Sequence, residues 1–258
     1  MSSQFAADVS PERLHQLLTD GMALHRAGQH AEAERVYRNI LRADPANADA
    51  LHLLGLIAQH AGLSEEAAKM IRRAIDLNPM APSYWANLAS ICEQQGEYDE
   101  AERCAREALA IDPNHGTALH CLGNALRAGD RYEEAAQCYE LATASIADDA
   151  ALWSNLGSTL LTLHRHEPAI EAFRRALALS PGQAEMHSNL GNALAAGGDP
   201  DGAIAAHAAA IRVDPGFPAA STNLAGVLLQ AGRAAEAAGT LTDCLGVEPG
   251  HTKALSLL

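Results

Sequence analysis

Six prolines, Pro45, Pro79, Pro113, Pro181, Pro215 and Pro249, fall on one ruler of 34 residues, and only the tick at Ala147 lacks a proline. A fixed period of this size marks a chain that repeats one structural unit and stacks the copies as a solenoid. Such a chain buries its apolar surface between neighbouring copies instead of in one central core. Function is then to be sought on the surface that the stack creates.

With the proline placed at position 32, seven repeats run over 14–47, 48–81, 82–115, 116–149, 150–183, 184–217 and 218–251. Residues 1–13 read as an N-terminal extension, and 252–258 as the start of an eighth first helix or a capping helix. Each repeat holds two apolar stretches of helical period. Aromatics are 4% of the chain and β-branched residues are thin, which favours helix throughout. Proline cannot donate its amide and pushes its predecessor out of the α region, so it ends the second helix. The break between the two helices carries Gly28, Gly62, Gly96, Gly198 and Gly232, residues able to take the left-handed conformation at a helix end.

Position 20 is alanine in every repeat: Ala33, Ala67, Ala101, Ala135, Ala169, Ala203 and Ala237. Position 8 is Gly21, Gly55, Ala89, Gly123, Gly157, Gly191 and Ala225. Only small residues fit there if two helices approach at the short end of the ~8–10 Å range. Position 7 supplies the knob: Leu54, Leu88, Leu122, Leu156, Leu190 and Leu224. Trp85-x-x-Leu88, Trp153-x-x-Leu156-Gly157, Ala33-x-x-x-Tyr37, Ala135-x-x-x-Tyr139 and Ala169-x-x-x-Phe173 complete the pattern.

This pattern resembles the tetratricopeptide repeat (TPR) family, W-x-x-L-G-x-x-Y, then A-x-x-x-F, then P. The resemblance covers Leu14 to the end of the chain. It implies an all-α fold: a right-handed α-α superhelix (TPR solenoid) of seven helix-turn-helix repeats plus a terminal helix. The first helix of each pair, A, would line the inner face, with the second, B, outside.

The departures from the pattern carry information too. Repeat 1 has Asp20 at a core leucine position and Ile40 at a small position, as an atypical capping repeat would. Repeat 4 closes with Thr143 and Ala147 in place of an apolar residue and proline, and repeat 5 has His164-Arg165-His166 in place of the mid-repeat glycine. The seam between repeats 4 and 5 is therefore expected to open more readily than the others.

Positions 2, 5, 6 and 9 of helix A share one stripe by helical spacing. In repeats 3 to 7 they are Ser83, Ala86, Asn87, Ser90; Thr117, His120, Cys121, Asn124; Ala151, Ser154, Asn155, Ser158; Glu185, Ser188, Asn189, Asn192; and Ala219, Thr222, Asn223, Gly226. One of these is charged, whereas an ordinary solvated helix face is rich in Lys, Glu and Arg. A carboxamide offers donor and acceptor together, so Asn87, Asn155, Asn189 and Asn223 at position 6 can each hold one peptide unit of a guest chain. In repeats 1 and 2 the stripe holds His15, Leu18, Thr19, Met22 and Asp49, His52, Leu53, Leu56, where Met22 and the leucines either accept apolar anchors or pack between helices. The candidate peptide-binding groove is thus Met22, His52, Asn87, Ser90, His120, Asn124, Ser154, Asn155, Ser158, Ser188, Asn189, Asn192, Thr222 and Asn223. Its asparagine ladder resembles that of the TPR superhelix in O-linked N-acetylglucosamine transferases, although Cys121 breaks it in repeat 4.

A formal charge of -14 argues against nucleic acid and anionic membranes as partners. No apolar run approaches the ~20 residues that span a bilayer. The polar start shows no signal-peptide pattern, and five cysteines without C-x-x-C spacing suit a reducing compartment, so a cytoplasmic location is expected. Cys92, Cys104, Cys138 and Cys244 sit at packing positions, and Cys121 is expected to face the groove. His164, His166 and His187 lack a recurring acidic or cysteine partner, so no metal site and no cofactor is expected. No phosphate-binding glycine loop, nucleophile elbow or Ser/His/Asp set stands out, so the chain alone reads as no enzyme. The expected function is a protein–protein interaction scaffold that binds an extended or helical polypeptide segment. The alternatives are the substrate-recognition arm of a larger glycosyltransferase or oxygenase cut at 258, and self-association through the terminal helix.

Overall fold

The computed structural model describes residues 10–258 as fifteen α-helices, with no strand among them. Residues 1–9, most of the expected extension, lie outside the described residues. The A helices are α1 (Pro11–Arg26), α3 (Ala48–His60), α5 (Pro82–Gln94), α7 (Gly116–Ala128), α9 (Ala150–Thr162), α11 (Ala184–Ala196) and α13 (Pro218–Gln230). The B helices are α2 (His30–Ala43), α4 (Ser64–Leu77), α6 (Tyr98–Ile111), α8 (Tyr132–Ala142), α10 (His166–Leu179), α12 (Pro200–Val213) and α14 (Ala234–Val247), followed by α15 (Thr252–Leu257). Helix α1 starts ahead of the repeat frame, with Ser10 capping it through the Arg13 amide. The chain forms two compact halves, residues 1–129 and 130–258. Within each half, A packs on B in a repeat and on the A helix of the next.

The turn between A and B follows from one backbone conformation. At position 15, Gly28, Gly62, Gly96, Gly198 and Gly232 have φ of 74–85°. Repeats 4 and 5 lack the glycine, and Asp130 (φ 59°) and His164 (φ 57°) take the left-handed conformation there instead. Asp and His tolerate that region better than bulky residues do. The next amide then reaches back five residues, as in Leu63 to the Ala58 carbonyl at 2.9 Å and Arg165 to the Leu160 carbonyl at 2.9 Å. This is the Schellman pattern, and it fixes where B starts.

Position 8 sets how closely B can lie on A. A Cβ built on Gly157 would stand 2.9 Å from the Phe173 ring, one on Gly55 2.8 Å from Ile71, and one on Gly21 2.5 Å from Tyr37. Tyr37, Ile71 and Phe173 all occupy position 24, and each is fully buried. In repeat 3, where position 24 shrinks to Ala105, position 8 grows to Ala89. Large against small is how the pair fills its space.

A second recurrent bond joins repeats 3, 5 and 6 to the turn before them. The indole N–H of Trp85 donates to the Pro79 carbonyl at 2.9 Å, and that of Trp153 to the Ala147 carbonyl at 2.7 Å. The His187 ring lies 3.0 Å from the Pro181 carbonyl in the same place. The bond needs a carbonyl and not a proline, so it survives at Ala147.

Repeat 4 ends differently from its neighbours. Helix α8 has 11 residues where the other B helices have 14. It stops at Ala142, the Thr143 hydroxyl donating to the Glu140 carbonyl at 2.7 Å. The missing turn removes helical hydrogen bonds that the other seams keep. Amide exchange is therefore expected to be faster over 143–150 than over the matching stretches 75–82 and 177–184. Equal protection at the three seams would show that the short helix costs no local stability.

Candidate binding face on the A helices

The charged residues lie where a solvated face should be. Arg35–Glu32, Arg38–Glu34, Lys69–Glu65, Arg106–Glu102 and Arg175–Glu171 are ion pairs within single B helices, all with exposed arginine or lysine side chains. Each contributes only about 0.2–0.5 kcal/mol, so they are a solubility device more than a source of stability.

The A helices carry a different set of bonds, which run from one repeat to the next. In the first half, the Tyr84 hydroxyl donates to Asp49, the His52 ring lies 2.7 Å from Asn87 Nδ2, and the Gln59 amide donates to Gln94 at 3.2 Å. Each of these pairs is 35 residues apart, one repeat plus one. Asn124 Nδ2 donates to Glu93 at 2.8 Å. In the second half, Asn223 Nδ2 donates to Asn192 Oδ1 at 3.2 Å, and the Lys253 ammonium reaches Asn223 Oδ1 at 3.4 Å. Polar side chains thus join neighbouring A helices across the stripe.

That stitching corrects part of the sequence reading. His52, Asn124, Ser188 and Thr222, expected as groove residues, are buried. The polar groups of these four residues bond inside the chain. Asn124 takes Glu93, Thr222 takes the Ala219 carbonyl at 3.1 Å, and Ser188 lies 3.4 Å from His207 Nδ1. Burial pushes the His52 ring down to about 4, with Asp49 opposing. His52 is therefore neutral at pH 7, stacked at 4.5 Å on Tyr84. Cys121, expected to face the groove, is buried as well, and that burial holds its thiol protonated.

Asn87, Ser90, His120, Ser154, Asn155, Ser158, Asn189, Asn192 and Asn223 are half-buried, and Met22 is exposed. Leu18 and Leu53 pack on the apolar cluster of Tyr37, Ile40, Leu54 and Ile57, so they belong to the core side of the stripe. An asparagine side chain has two donors and an acceptor with two lone pairs. Asn87 spends part of that capacity on His52, and Asn223 on Asn192 and Lys253. Sequence reasoning missed Tyr84, Glu93, Gln59 and Gln94. The separations of 35 and 31 residues were the signal that would have found them.

Tetratricopeptide repeat profiles match residues 53–213, 194–258 and 18–70. No curated protein sequence matches the chain. Among solved structures it is similar to YrrB, a TPR protein with an unusual peptide-binding site, at 26% identity and a TM-score of 0.67, over 73% of this chain and 97% of that one. It is also similar to MamA (25% identity, TM-score 0.60, 64% and 97% covered) and, in fold, to PilF of Pseudomonas aeruginosa (23%, 0.68, 83% and 96%). Among the described residues no helix is long and apolar enough to cross a membrane. With one profile alone spanning residues 53–213, and with the A/B turn, the invariant alanine of helix B and the pairing of positions 8 and 24 all in place, the chain belongs to the tetratricopeptide repeat family.

Proposed function

We propose that this protein is a non-catalytic interaction scaffold that holds an extended or helical segment of a partner protein along the face of its A helices. The observation that carries this reading is the stripe of half-buried, uncharged carboxamides and hydroxyls in the second half: Ser154, Asn155, Ser158, Asn189, Asn192 and Asn223. Charges are instead paired on the B helices. Asn and Ser are poor mid-helix residues on propensity alone, so their recurrence at one helical position calls for a use. Stacked helices set such groups ~10 Å apart, close to the reach of three extended residues. Regular amide partners at that spacing suit a backbone and are indifferent to its sequence. The peptide-binding site of YrrB and the ladder's likeness to that of O-linked N-acetylglucosamine transferases support the same reading.

Peptides selected from a random displayed library on the wild-type protein test it. Asn155→Ala, Asn189→Ala and Asn223→Ala together are expected to weaken those peptides at least about tenfold, each lost hydrogen bond contributing about 0.5–1.5 kcal/mol. The helical circular dichroism signal should be unchanged. Peptides that bind the triple variant as tightly as the wild type would move the binding surface elsewhere.

A further inference from the structure

Two side-chain pairs join α3 to α5, one helical turn apart. Asp49 and His52 stand three residues apart on α3, as Tyr84 and Asn87 do on α5. The Tyr84 hydroxyl donates to Asp49, and Asn87 Nδ2 lies 2.7 Å from His52 Nε2. Between the two bonds the His52 and Tyr84 rings stack, with centroids 4.5 Å apart and planes inclined by 34°. We propose, on the scaffold reading above, that His52 is a positioning residue for the groove. It holds the Asn87 carboxamide so that Oδ1 faces the partner segment and accepts a backbone N–H from it.

The direction of the His52–Asn87 bond follows from the chemistry of its two atoms. A carboxamide nitrogen carries two N–H groups and cannot accept, so His52 Nε2 is the acceptor and bears no proton. The neutral ring then carries its one proton on Nδ1. Burial favours that neutral form and pushes the ring's pKa down to about 4.

His52 has little freedom to turn away. It is buried, and so is the Tyr84 ring stacked on it, which Asp49 fixes in turn. Asn87 is only half-buried. The oxygen and nitrogen of a carboxamide diverge from one carbon in one plane. A nitrogen turned onto the buried His52 ring therefore sends the oxygen away from it, toward the open side of α5. Among the described residues nothing bonds that oxygen, which keeps both lone pairs for a guest amide. A side chain already held in its binding orientation loses less freedom when the guest arrives, a gain of about threefold to tenfold in Kd.

Two measurements on the whole chain test the assignment. In the free protein the ring-nitrogen chemical shifts of His52 read its tautomer. The proton is expected on Nδ1. A proton on Nε2 would mean that the carboxamide is reversed, with Oδ1 turned inward, and would overturn the proposal. Peptides selected from the random displayed library on the wild type are then titrated against His52→Phe, Asn87→Ala and the double variant. His52→Phe keeps a ring against Tyr84 and removes the acceptor. It should weaken the peptides about threefold to tenfold, Asn87→Ala at least as much, and the double variant no more than Asn87→Ala alone. Losses that add would give His52 a separate role and refute its action through Asn87. The tautomer decides the matter if His52→Phe disturbs folding. Binding weakened by the Asn155, Asn189 and Asn223 triple variant but untouched by His52→Phe would keep the groove and remove the role of His52. Indifference to the triple variant would remove the groove reading itself, and this role with it.

Discussion

Phe173→Ala is expected to destabilise the protein by about 3–5 kcal/mol, the range for emptying a fully buried aromatic site. The ring is wholly excluded from solvent, and its edge rests where a Cβ on Gly157 would stand 2.9–3.0 Å away. Collapse of the helices into the vacated volume is resisted by the turn between them, where Arg165 bonds back to Leu160 at 2.9 Å. The cavity term therefore stays close to its full size. Because a stacked array is stabilised by nearest-neighbour interfaces, loss at one repeat also weakens its coupling to the next. Urea unfolding should show a lower midpoint and a broadened or split transition. Leu179→Ala, at an exposed site on the same helix α10, should change little. If Phe173→Ala matched Leu179→Ala, the close A/B contact in repeat 5 would not be what holds that repeat together.

Repeat 5 also shows what a sequence can and cannot reveal in an array like this. Ala169-x-x-x-Phe173 and Gly157 are readable because every repeat must solve the same packing problem at the same positions, so the solution recurs at 34 residues. The helix ends follow for the same reason: position 15 must be left-handed, and glycine marks it in five repeats. The candidate face was legible only in outline. A stripe at positions 2, 5, 6 and 9 places Asn124, Ser188 and Thr222 on the open side of their own helices, yet all three are buried, Asn124 bonded to Glu93 of the preceding A helix and Ser188 set against His207 of its own B helix. Burial there depends on the packing of neighbouring helices, a quantity no single helix encodes.

His207→Phe is expected to stabilise the array, and the gain should grow as the pH falls. His207 occupies position 24, where repeats 1, 4 and 5 place an aromatic ring, and it is fully buried. Its Nδ1 lies 3.4 Å from the Ser188 hydroxyl, its Nε2 has no partner, and a Cβ on Gly191 would come within 2.6 Å of the ring. Burial pushes its pKa from 6.5 down to about 4. The folded chain then keeps the ring neutral while the unfolded chain takes up a proton below about pH 6.5. Between those two values the unfolded state binds more protons, so stability falls as pH falls and levels off below about 4. A shift of this size corresponds to about 3 kcal/mol, at 1.36 kcal/mol for each pKa unit. Phenylalanine cannot titrate, and the Gly157–Phe173 pair shows that glycine at position 8 leaves room for it. Urea unfolding of both proteins at about pH 7.5, 5.5 and 4.5 provides the check. The difference in stability between variant and wild type should widen by about 2–3 kcal/mol across that range. A constant difference would mean that His207 titrates alike in the folded and unfolded chain, and the closed packing around Gly191 would have to be given up.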